Sequence, residues 1–183
     1  MSRTVTTPPA AEPITIERAR RHLRVDQTVE DDDIKDWIAA ARQFVEAVTE
    51  HALMAQTWTE ALNAMPTALE LRGGNVRQVA AVRYVDAGGD ERTVAPALYE
   101  AVLDEKPPML RLAPGAAWPA GRRWRVEYHV GYPDADSVPR PLVSAVLLIL
   151  ADLFENRGAQ MPANLQDNPA FSNLVFSYSR IRP

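Results

Sequence analysis

Three histidines and an acidic run are the residues best equipped for chemistry in this sequence. His22, His51 and His129 fall in different segments, none in an H-x₃-H or HExxH arrangement. Those spacings put two imidazoles on one helix face for a metal, so a shared metal is not expected. Helix-end or exposed histidines are the plainer reading. Glu30-Asp31-Asp32-Asp33 offers oxygen ligands to a divalent cation. It lacks the spacing and internal glycine of an EF-hand loop, and an acidic first helical turn accounts for it more economically. Asp134 and Asp136 precede a proline-led helix and fit an Asx turn better than a catalytic carboxylate pair. There is no G-x-S-x-G elbow for a hydrolase serine and no GxxxxGK[ST] or GxGxxG loop for a phosphate. With no cysteine in the chain, disulfides, Cys-zinc sites and a thiol nucleophile are excluded. No catalytic residue, metal ligand or cofactor site is expected.

Nucleic-acid readout would need basic residues interleaved with exposed aromatics. Arg122-Arg123-Trp124-Arg125 comes closest. Trp124, however, begins an alternating run, Trp124, Val126, Tyr128 and Val130 against Arg125, Glu127 and His129, which describes a half-buried strand with its aromatic face in the core. The formal net charge of −4 also opposes general affinity for nucleic acid. Charge is unevenly spread. Residues 1–25 carry five arginines against two glutamates, and residues 26–50 carry eight acids against Lys35 and Arg42. A positive end beside a negative block suits contact between neighbours in an assembly, and equally suits a solvated surface with random charge drift.

The elements that position these groups follow from pattern. Residues 1–13 hold three prolines and few large apolar groups and are expected to be a disordered leader. Thr15 can cap a short helix over 16–24, with Ile16, Ala19 and Leu23 at helical spacing and arginines outside. Asp31-Asp32-Asp33 opens a second helix over 31–49, whose Ile34, Trp37, Ile38, Ala41, Phe44, Val45 and Val48 form an amphipathic stripe. From 56 to 130 the chain becomes short β-prone segments, 56–62, 68–72, 76–85, 93–102, 109–112 and 124–130, punctuated by glycine and proline turns. Val82 and Tyr84 face Thr93 and Val94 across Ala87-Gly88-Gly89, which predicts a hairpin. Pro139 and Pro141 open a third helix over 139–157, apolar on nearly every side, with Gly158 as its stop. Such a helix is either the central helix of the fold or turns one flank to another subunit, and the first is favoured. Gln160 to Pro169 is expected to be a polar loop. Phe171, Leu174, Val175, Phe176 and Tyr178 form a last apolar segment before a basic end.

Together these elements predict an α+β chain: a small helical bundle with an antiparallel β insertion between its second and third main helices. Its domains would be the leader 1–13, one globular domain over 14–158 and a C-terminal loop and tail over 159–183. At 183 residues, 46% apolar and 24% charged, the chain falls in the ordinary globular range. A chain of this size buries roughly 70% of its unfolded surface and needs no staple. Its longest apolar run spans residues 145–151, against the roughly 20 needed to span a membrane, and the first residues lack the apolar core of a signal peptide. A soluble, non-exported protein is expected, with no membrane partner.

Read in order, the motifs resemble the head–tail connector (adaptor) proteins of long-tailed double-stranded DNA phages and related gene transfer agents. The first block is Ala19-Arg20-Arg21-His22-Leu23-Arg24-Val25-Asp26, then Asp31-Asp32-Asp33-Ile34 and Trp37-Ile38-Ala39-Ala40-Ala41-Arg42 with Val45-Glu46. Ala52-Leu53-Met54-Ala55-Gln56-Thr57-Trp58 resembles the family's "aLi.QTW", and Val82 to Gly89, with Tyr84 and Asp86, its "V.Y.D.dG". Trp118-Pro119, the segment 126–132, Val138-Pro139, the segment 145–150 and Phe154-Glu155-Asn156-Arg157 complete the series. The blocks cover 14–158. Two departures stand out: Glu50-His51 replaces the usual glycine after the second helix, and Phe154 replaces a common tyrosine.

The resemblance implies a structural, non-enzymatic subunit of a ring, usually dodecameric in the particle. The ring would lie beneath the portal, prolong the DNA channel and offer a surface to a neck or tail-completion protein. The implied location is the virion's head–tail junction, reached after assembly in the host cytoplasm, with DNA passing through without specific binding. A ring of this kind closes through heterologous contact between different faces of identical subunits. The expected inter-subunit contacts are Arg18, Arg21, Asp31, Asp32 and Arg42. Portal binding is expected of Phe171, Leu174, Phe176, Tyr178, Arg180 and Arg182, the alternative being that the aromatic segment folds back on the bundle. Two competing readings are a DNA-binding accessory protein of packaging, marked by salt-dependent retention of duplex DNA, and a small hydrolase with scattered carboxylates.

Overall fold

A computed structural model describes residues 2–25, 31–156 and 168–178 of the chain. Among the described residues there are four helices and two antiparallel sheets, and seven of the eight strands lie between the second and third helices. The chain divides into two compact units, one formed by Met1–Ala10 and Ala55–Gly131, the other by Ala11–Met54 and Tyr132–Pro183. The segment 14–158, expected as one domain, contributes to both units.

The helical unit contains α1 (Ile16–Leu23), α2 (Asp31–Thr49), α3 (Arg140–Glu155) and α4 (Pro169–Val175). Thr15 caps α1, its hydroxyl accepting from the Arg18 N–H at 3.2 Å. Arg24 ends the helix in a left-handed conformation, φ 55°. The stripe of α2 points inward, with Ile34, Ile38, Ala41 and Val45 all buried. Helix α3 packs against α1, α2 and α4, the central position favoured for it. Leu142, Ala145, Val146, Ile149 and Leu150 of α3 are buried, and Trp37 of α2 meets its Phe154 edge-on at 5.6 Å. Each fully buried Leu, Ile or Val among them contributes about 1.5–3 kcal/mol. Asn156 caps α3, and Gly158, the expected stop, lies outside the described residues.

The β unit contains β1 (Ser2–Thr7), β2 (Gln56–Leu62), β3 (Ala68–Glu70), β4 (Val76–Val85), β5 (Glu91–Thr93), β6 (Tyr99–Val102), β7 (Met109–Leu112) and β8 (Arg122–Val130). One sheet has the order β1-β2-β8-β4-β5, the other β3-β7-β6. The predicted hairpin forms between β4 and β5, with Arg83 opposite Thr93 and the Val94 N–H donating to the Val82 carbonyl at 2.8 Å. The segment expected as one strand over 93–102 is broken by a 3-10 turn at Pro96–Leu98. Proline has no N–H for a ladder, so the strand stops there and the chain resumes as β6 of the second sheet.

The first residues depart from expectation. The leader expected to be disordered contains β1, which pairs antiparallel with β2, Arg3 opposite Glu60 and Val5 opposite Trp58. The order comes from a partner some fifty residues away, which no local pattern near the N-terminus announces.

Candidate functional site

Three surfaces carry groups that local folding leaves on display. The first is the junction of α1 and α2. Arg20 of α1 and Asp31 at the start of α2 form an ion pair at 2.5 Å, and Asp32 takes Lys35 at 2.7 Å. The lysine hydrogen bond and charge hold the Asp32 carboxyl below its ordinary range. Arg18 and Arg21, three residues apart, share one exposed side of α1. Of the five expected inter-subunit residues, Arg18, Arg21 and Asp32 are exposed, and Asp31 is exposed while engaged by Arg20.

The fifth, Arg42, is buried. It is 5% exposed, its Nε 2.7 Å from Glu12 and its Nη1 2.7 Å from Glu46. Burial opposes its charge, but the two carboxylates outweigh it and raise the guanidinium above its ordinary pKa. Glu46 also accepts the Leu53 backbone N–H at 2.8 Å. Arg42 thus clamps the entry to α1 and the exit of α2 within one chain.

The second surface is the C-terminal segment, which divides into anchors and one presented ring. Asn168 caps α4 by accepting from the Ala170 N–H at 2.9 Å. Phe171, expected to bind a partner, is 1% exposed and meets Phe44 of α2 at 5.8 Å. Val175 is buried with it and Leu174 is half-buried, because the short helix closes the apolar flank of α3. Tyr178 turns its edge to His51 at 5.6 Å. Phe176 is 81% exposed; it and Val5 are the large apolar side chains left exposed among the described residues. Arg180 and Arg182 lie outside them.

His51 belongs to a small aromatic knot. Its ring stacks on Tyr132, planes 18° apart, with Nε2 3.1 Å from the phenol oxygen. Burial pushes the imidazole down to about 4.

The third surface is the edge of the β unit. The inner face of the larger sheet holds Trp58, Trp124, Val126, Tyr128 and Val130, together with a fully buried acid, Glu60. The Tyr128 phenol donates to Glu60 at 3.2 Å, and burial, then the Glu60 charge, raise the Tyr128 pKa. Arg3 of the edge strand β1 lies over the Trp58 ring at 4.2 Å. Sequence reasoning missed this pair; the signal was Glu60 alternating in phase with Trp58 and Leu62 on an apolar face. Trp124 is 2% exposed, in the core as expected, stacked on Tyr84 at 5.0 Å and met edge-on by Trp118 at 5.7 Å. On the outer face, Thr57 and His129 lie 3.1 Å apart and Arg83 pairs with Glu127 at 2.7 Å. Asp134 accepts the backbone N–H of Ser137, three residues on, at 2.8 Å. Among the described residues, no three His, Asp or Glu side chains converge as a metal site would require.

The sequence matches no family model and no curated protein. Solved structures do match. Over 100% of its length the chain is similar to a chain in the virion of a native gene transfer agent particle, with 26% identity, a TM-score of 0.82 and 97% of that chain covered. The same figures hold for a chain in the neck of an empty gene transfer agent particle computed with C6 symmetry. In the neck of the native particle computed with C12 symmetry the match has a TM-score of 0.79 at 26% identity and the same coverage.

Proposed function

We propose that the chain is a structural subunit of a head–tail connector, a ring in the neck of a gene transfer agent or phage particle. The observation that carries this reading is the full-length similarity, at 26% identity, to chains of gene transfer agent necks, one of them computed with C12 symmetry. The ordered motif blocks over 14–158 support it independently. On this reading the protein acts as an adaptor and not as an enzyme. The ring sits beneath the portal protein, prolongs the DNA channel and receives a neck or tail-completion protein on its other side. DNA passes without specific binding. The protein works at the head–tail junction and is assembled there from the host cytoplasm.

Ring closure needs two different faces on each copy. The cationic side of α1, Arg18 and Arg21, is one. The acidic start of α2, Asp32 above all, is the other, facing the α1 of the next copy. Asp31, bonded to Arg20 of its own chain, links the two faces within one copy. Portal contact falls to Phe176, with Arg180 and Arg182, while Phe171, Leu174 and Tyr178 hold that end of the chain to the bundle.

Electron microscopy with mass measurement, on the protein mixed with the portal protein of the same particle, tests the reading. Closed rings seated on portals are the expected result. Free monomers beside bare portals would overturn it.

A further inference from the structure

We propose that β1 is an exchangeable arm: in the assembled ring it lies on β2 of the neighbouring copy, so that Arg3 of one chain lies over Trp58, on the Glu60 face, of the next. The inference rests on the ring reading above.

The seat for the arm is specific. Glu60 is fully buried on β2, and the residue opposite it in register is Arg3, whose guanidinium lies 4.2 Å from the Trp58 ring. Directly opposed residues on paired strands share a face, so the arm brings a cation to the side of the sheet where the acid is buried. A buried carboxyl strongly favours a strand that carries such a charge over one that does not. Val5 lies opposite Trp58, and the Thr6 and Thr59 hydroxyl oxygens are 2.5 Å apart. None of these contacts requires arm and seat to belong to one chain.

The connection to the arm favours exchange. β1 is an edge strand whose ladder runs along β2. It continues into Pro8-Pro9-Ala10-Ala11, after which Glu12 is held by Arg42 at 2.7 Å. The hinge is thus short, stiffened by two prolines and anchored at its far end. Short stiff hinges invite exchange between copies over closure within one. A lone chain closes the arm on its own β2; in a ring, the neighbour offers the same seat at high effective concentration. Arm and seat are also two different surfaces of one chain, as head-to-tail ring contact demands.

Cysteine pairing decides the matter, because the chain has none of its own. Thr4 and Thr59 are register partners, so Thr4→Cys with Thr59→Cys in one chain reports where the arm sits. After oxidation of rings assembled on the portal protein, a non-reducing gel is expected to show a ladder of linked chains. Mixed rings of the Thr4→Cys and Thr59→Cys single variants should give linked dimers. Rings whose double variant is bonded only within each chain, rings with no bond at all, or mixed rings without dimers would each overturn the exchange while leaving the ring intact. Sizing of the same samples separates the two ideas: a chain that remains monomeric with the portal protein rejects the ring and the exchange together.

Discussion

His51 lies flat against Tyr132, its Nε2 3.1 Å from the phenol oxygen, and takes the edge of Tyr178 from another side. Burial holds the imidazole near 4, below its ordinary 6.5. The unfolded chain therefore binds a proton below pH 6.5 that the folded chain refuses until about pH 4. This part of the stability is fully present above pH 6.5 and is lost as pH falls towards 4, about 3 kcal/mol in all and most of it by pH 4.5. His51→Phe keeps a stacking ring and removes the titration. Urea unfolding at pH 7 and pH 4.5 should show a drop in the parent chain that is smaller by that amount in the variant. Parallel drops would mean that His51 is not buried in the neutral form.

Arg42 predicts a stability defect and not an assembly defect. Arg42→Ala takes from the buried Glu46 the guanidinium 2.7 Å away, and removal of one partner from a buried ion pair costs about 3–5 kcal/mol. Calorimetry of the isolated chain should register the loss before any ring is formed. A variant as stable as the parent that fails to assemble would restore Arg42 to the interface.

The two phenylalanines of the C-terminal segment should separate cleanly. Phe171→Ala empties a filled site beside Phe44 and should cost about 3–5 kcal/mol. Phe176→Ser, at an exposed position, should change stability by less than about 0.5 kcal/mol while reducing attachment to portal-bearing heads. A sedimentation assay with such heads checks the second half. Undiminished attachment of Phe176→Ser removes that ring from the contact.

Charge reversal on α1 addresses ring closure. Arg18→Glu with Arg21→Glu should leave the thermal midpoint within a degree or two, since neither side chain is buried. The same pair should shift mass-measured assemblies from rings towards monomers, more so at low salt, where like-charge repulsion is least screened. Rings of unchanged yield would assign closure to other residues.

The helices were legible because their apolar residues repeat at three and four positions, and the β4–β5 hairpin because its glycines sit between matched strands. Arg42 did not announce its burial, for a physical reason. It lies four residues after Ile38 and three before Val45, on the flank of the buried stripe, and its partner Glu12 comes from a segment with no periodicity. Phe171 and Phe176 are the same residue type, but 171, 174, 175 and 178 share the face packed on the bundle, and Phe176, at the C-cap of α4, falls off it. β1 escaped notice because an edge strand is ordered by its distant partner, and threonine-rich residues beside prolines look the same whether paired or free.

Ala55–Gly131 interrupts the helical unit, and this sets the timetable of synthesis. When α2 leaves the ribosome, the helix that will cover Ile34, Ile38 and Val45 has not been translated, and all strands of the β unit emerge before it. The inserted sheets can fold as the nascent chain lengthens, whereas the bundle must wait for α3 with a bare apolar stripe in the interim. Chaperone demand during translation should therefore peak before residue 140 and fall once α3 docks.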